Sequence, residues 1–276
     1  ERNIMDKKLS DKLVIASVVI AVLVVIASFL GLFYPGVYAQ ETANWRMQAQ
    51  GQDIGNLLAV IVLLASAYGL HRQSFKAYLV WIGVLFYLLY AYIVYAVAVH
   101  FGSLFLVYAA VLGVVFYSLL YAFISNTIPK ETGIYAKARA RTAASYVLIG
   151  TGVLFALLWL SEIIPALIAG NPPASLVEAG LIVNPIHAID LSVVLPGMII
   201  TGILAKRGNF NGLFFVVPWL VFTALMGASI VAAMFIILAS TTTNVIVPTL
   251  MVTVVVLLSI VALYYFMAKI RLIKKA

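Results

Sequence analysis

Nine Asp and Glu residues and three His are the whole supply of carboxylates and imidazoles in this chain of 276 residues, and it has no cysteine. Thiolate metal sites, catalytic thiols, iron–sulfur clusters and disulfides are therefore excluded. Glu162 is the most informative of the twelve. Leu157 to Ser161 precede it and Ile163 to Ile168 follow, so a carboxylate stands inside an apolar run. An ionisable group within a membrane span costs about 2.5–3.5 kcal/mol and faces a bundle interior or a polar cavity, where it can exchange protons. Pro165 frees the Ser161 carbonyl and is expected to bend the helix beside it.

His187 and Asp190 are three apart and share one helical face, so they could bind one ion or relay one proton. Asn184 and Pro185 just before them read as a helix cap and first turn, where an acid also serves the helix dipole. Asp53 is a further acid at the start of an apolar run. Trp45 and Arg46 could close over an anionic or aromatic ligand, the plainer reading of Trp45 being an interfacial anchor. His100, at the end of another run, is a weaker ligand candidate. Together Glu162, Asp190, His187 and Asp53 make a candidate substrate or proton site, with Arg46 and Trp45 beside it. His187, Asp190, Glu162 and His100 make a candidate site for zinc or a harder divalent metal. Tyr87 with Tyr90, and Tyr117 with Tyr121, could pair hydroxyls along a polar path or simply pack.

These residues have to be positioned by membrane helices. The chain is 65% hydrophobic and 9% charged, whereas a soluble domain is about half apolar and about a quarter charged. Eight continuously apolar stretches emerge, at 13–35, 54–70, 76–99, 104–125, 144–168, 187–205, 212–239 and 246–269. Each is near the ~20 residues that span a bilayer as a helix, and none alternates like a membrane strand. The fold class is thus all-α and polytopic. The first run is too long for the core of a cleaved signal peptide, and Met5 reads as a natural start with Glu1 to Ile4 upstream. Pro196 and Pro218 are expected to kink the sixth and seventh helices.

Sixteen of the seventeen Lys and Arg fall at the termini or in the turns after the second, fourth and sixth runs, including Arg72, Lys130, Lys137 and Lys206. Arg46 alone breaks the pattern. The positive-inside rule makes those segments and both termini cytoplasmic, and places 36–53, 100–103, 169–186 and 240–245 outside a cell membrane. A net charge of +8 distributed this way serves orientation and headgroup contact, not nucleic acid. The loop order repeats, dividing the chain into a four-helix half 1–125, a basic cytoplasmic linker 126–143 and a second half 144–276. Asp53 and Asp190 would then be equivalent positions.

No nucleotide-binding, His-Glu-x-x-His or nucleophile-elbow motif occurs, and no late span carries a mid-helix lysine for retinal. With three histidines, at most one bis-His haem could form on the outer side. Three readings stay open: a carrier or channel-like protein whose acidic pocket faces outward and takes a small molecule or ion; a non-catalytic subunit or scaffold bound to a membrane partner or to itself; and a membrane-embedded metal-dependent enzyme.

Overall fold

The computed structural model describes residues 7–125 and 132–274. Met5 and Lys130 lie outside the described residues, as does the first part of the linker. Helices α1 (Lys7–Phe33), α2 (Ala43–His71), α3 (Phe75–Ala98) and α4 (Phe105–Ile124) come first. Strand β1 (Thr132–Ala136) leads into α5 (Ala138–Ala169) and the short α6 (Ala174–Ala179). The sixth span, Pro185–Lys206, is assembled from α7 (Pro185–Ile189), a π-helical turn at Asp190–Val194 and α8 (Leu195–Lys206). Helices α9 (Phe210–Ser240) and α10 (Ile246–Lys269) and strand β2 (Ile270–Lys274) complete the chain. Among the described residues eight helices are long and apolar enough to cross a membrane. The protein is an all-α, multi-pass membrane protein whose solvent is the lipid bilayer.

The order of neighbours is the same in both groups of four spans. In the first, α1 packs on α2, α2 on α3, α3 on α4, and α4 back on α1. In the second, α5 packs on α8, α8 on α9, α9 on α10, and α10 back on α5. The groups meet where α9 lies against α2 and α3. Small residues allow the α2–α9 approach: a Cβ on Gly51 would run into the backbone of Ala233, and one on Gly55 would overlap Ser229 and lie 2.6 Å from the Tyr87 hydroxyl. Without a hydrophobic drive between helices in lipid, such a small-xxx-small seam gains its stability from close van der Waals packing.

Several boundaries differ from the hydropathy reading. Helix α2 begins at Ala43, so Trp45, Arg46 and Asp53 belong to a helix and not to a long loop over 36–53. Its first three turns carry Gln48, Gln52 and Asp53, which lower hydropathy but face protein. Thr42 accepts the Trp45 amide at 3.2 Å and caps the helix. The linker is also more structured than a basic turn. Strand β1 pairs antiparallel with β2, from Thr132 opposite Lys274 to Ala136 opposite Ile270, and the Arg271 guanidinium lies 5.1 Å from the Tyr135 ring centroid. Helix α5 starts at Ala138, six residues before the expected span.

Proline explains the π turn. Pro196 has no N–H to donate and its ring crowds the carbonyl of Ser192, four residues back. The helix responds by widening, and the Leu195 amide bonds to the Asp190 carbonyl five residues away. Such single-turn π bulges are frequent at functional sites. Here the bulge begins at Asp190.

Candidate functional site

Asp190 is reached by building the sixth span from its cap. Asn184 Oδ1 accepts the Ile186 amide at 2.9 Å and Pro185 follows, as the sequence implies. Asp190 therefore lies beyond the first turn, and only 8% of it is exposed. The Trp159 indole N–H donates to its Oδ2 at 2.8 Å, and Tyr90 shares the cavity wall with it. His187, on the same face, lies against the Trp159 ring with centroids 4.6 Å apart. Its Nε2 is 4.0 Å from Glu162 Oε2. Glu162, Asp190 and His187 thus converge, with Trp159 between them.

Glu162 is less enclosed than its apolar run implies, because 30% of its side chain is accessible. Its Oε1 accepts from both the backbone N–H and the hydroxyl of Ser175, in the first turn of α6. The carboxylate ties α6 to the end of α5 by satisfying an amide that a helix start leaves free. At 4.0 Å and partial exposure its ion pair with His187 adds little.

Asp53 is not part of this cluster. It is 1% exposed in the third turn of α2, where Tyr38 donates to Oδ2 at 2.7 Å and Tyr95 to Oδ1 at 2.9 Å. Burial and the charge of Asp53 push the Tyr38 phenol well above its ordinary range, so it stays a donor. Tyr38→Phe removes one of two donors to a buried carboxylate and is expected to cost about 1 kcal/mol. The check is a thermal midpoint in detergent lowered by about 2–4 °C.

The other candidates separate. Trp45 and Arg46 are adjacent on a helix and point to different faces. Trp45 is buried and donates its indole N–H to the Ala98 carbonyl at 2.7 Å, whereas Arg46 is exposed to solvent. They do not close over one ligand. His100 is held elsewhere, its Nδ1 3.0 Å from Glu41 Oε2 and its amide donating to Glu41 Oε1 at 2.7 Å. The four-residue metal set therefore does not assemble, and among the described residues no three His, Asp or Glu are arranged to hold a metal ion. Nor do the tyrosine pairs form a path. Tyr87 accepts from Gln52 Nε2 at 2.7 Å, Tyr90 faces Asp190, and Tyr117 and Tyr121 are exposed on α4.

Enclosed by α2, α3, α5, the sixth span, α9 and α10 lies a cavity of about 360 Å3. Asp190 reaches its wall; the rest is largely aromatic and aliphatic, with Trp45, Trp159, Tyr90, Phe222 and three methionines, and with Gln48 and Gln52 as polar points. Neither Glu162, His187 nor Asp53 lines it. Tyr95 connects the two regions, its side chain at the wall and its hydroxyl on Asp53. Ion pairs join His71 with Asp11, His100 with Glu41 and His187 with Glu162, and among the described residues neither Asp53 nor Asp190 is paired with a cation. No protein-family model matches this chain, and no curated protein or solved structure is significantly similar to it.

Proposed function

We propose that this multi-pass protein is a carrier of the cell membrane that takes a small amphipathic cation into the cavity beside Asp190. One observation carries the reading: a carboxylate with a neutral donor and, among the described residues, no cationic partner stands in the wall of an aromatic and methionine-lined cavity. An organic ammonium would gain the carboxylate's charge and the faces of Trp and Tyr, whose attraction strengthens on desolvation. The two rings of helices meeting along α2, α3 and α9 support a duplicated architecture, in which the cavity lies where one half can rock against the other. The basic helix ends would face the cytoplasm, and the ends bearing Asp53, Glu162 and Asp190 the outside.

Benzyltrimethylammonium is a suitable probe because it is permanently charged, and Trp45 and Trp159 at the cavity wall report its binding by fluorescence. Saturable quenching is expected, weakened at least tenfold in Asp190→Asn, with benzyl alcohol at the same concentration having little effect. Proteoliposomes should accumulate the labelled cation above empty vesicles. Binding without uptake would favour a receptor or subunit role; absence of both, in folded protein, would remove the proposal.

A further inference from the structure

The surroundings of Asp53 hold more oxygen than its two hydrogen bonds use. Ser28 and Tyr92 are fully buried and Tyr108 is 4% exposed, yet among the described residues none of their hydroxyls has a hydrogen-bond partner. They belong to the same cluster. The Tyr108 ring lies with its centroid 5.0 Å from Tyr95 and 6.1 Å from Tyr92, and Tyr95 itself donates to Asp53. Ser28 also adjoins the carboxyl but makes no properly directed bond to it. The Tyr95 hydroxyl contacts the Ala49 carbonyl at 3.1 Å, bringing a peptide oxygen to the edge of the group. Buried polar atoms are normally paired, so orphaned hydroxyls around an uncompensated carboxylate indicate a missing partner.

We propose that the Asp53 cluster binds one dehydrated alkali cation, sodium in preference to potassium. Donor type selects the class: carboxylate and hydroxyl oxygens, with no imidazole or thiolate in contact, suit a hard cation. Charge selects the valence. One carboxylate and one monovalent ion make a neutral group, whereas a divalent ion would leave net charge buried within the bilayer. Tyr38 and Tyr95 spend their protons on Asp53 and keep lone pairs to offer. Space favours the smaller ion, because α1 presses on the cluster: a Cβ on Gly31 would overlap Asp53 Oδ2 and come within 2.7 Å of the Tyr38 hydroxyl. This proposal does not depend on what enters the cavity beside Asp190.

The test is thermal stability of the purified protein in detergent at pH 8, with lithium, sodium, potassium or rubidium chloride at equal concentration. A ligand that binds only the folded state raises the midpoint with saturation, and about 5 °C is expected for sodium far above its dissociation constant. Potassium should need at least tenfold more. Asp53→Asn should abolish the sodium shift; Tyr108→Phe, which keeps the ring packing, should raise the sodium requirement at least tenfold should the first variant fail to fold. Asp190→Asn should leave the shift intact, separating this site from the cavity. Labelled sodium should bind at one ion per chain. Identical midpoints in all four salts, or a sodium shift preserved in folded Asp53→Asn or unchanged in Tyr108→Phe, would overturn the proposal.

Discussion

Gly51→Val is expected to break the close packing of α9 on α2, costing about 3 kcal/mol or more. The reason is where the added atoms must go. A Cβ at Gly51 meets the Cα and N of Ala233, which are backbone, so no side-chain rotation can relieve the overlap and α9 itself must move. Gly55, four residues on, presents the same problem against Ser229, and that second collision extends the seam by a turn. Moving α9 would also disturb its hydrogen bond from Ser229 to Gln52 Oε1, now 3.1 Å, and the cavity wall that both helices share. The control is internal. Gly113 and Gly150 are helical glycines with nothing within 4 Å of a built Cβ. Alanine there should be neutral or gain up to about 1 kcal/mol from helix propensity. Thermal midpoints and gel filtration in detergent distinguish the cases; a Gly51→Val protein as stable as Gly113→Ala would mean that α2 and α9 are not held by this seam.

The seam also shows what could be read without coordinates. Long apolar runs and basic turns suffice to place eight spans, because both signals are local and every span must satisfy the bilayer for itself. Helix α2 defeats that logic at its start, since Gln48, Gln52 and Asp53 look like loop residues until α3 and α9 are known to cover them. His187 and Asp190 could be placed on one face because helical spacing is local too. Glu162 stood out as a carboxylate in an apolar run, but its bonds to Ser175 depend on α6, whose short helix left no hydropathy signal. The Asp53 cluster was least legible. Tyr38, Tyr95 and Tyr108 come from a loop and two helices, and no spacing rule links them. Glu41, which holds His100, was missed for the same reason.

Trp159→Phe is expected to destabilise the folded protein by about 2 kcal/mol while leaving the ring against His187 largely in place. The loss comes from one atom. Asp190 Oδ2 now receives the indole N–H at 2.8 Å, and phenylalanine would leave that oxygen without this donor in a largely apolar wall. Asp190→Leu creates the complementary fault, a part-buried indole N–H with no acceptor, and should cost less because water can reach part of the ring. The informative variant is the double one. Replacing both members of a buried polar pair with apolar groups removes both desolvation penalties. Trp159→Phe/Asp190→Leu should therefore be more stable than either single variant, with a coupling of about 1–3 kcal/mol in a double-mutant cycle. Additive losses would show that the two side chains contribute independently and that the 2.8 Å contact is incidental. Recovery of stability in the double variant, together with loss of benzyltrimethylammonium binding, would mean that the pair is dispensable for the fold, as buried polar pairs often are. The carboxylate would then be kept in the cavity wall for what it binds.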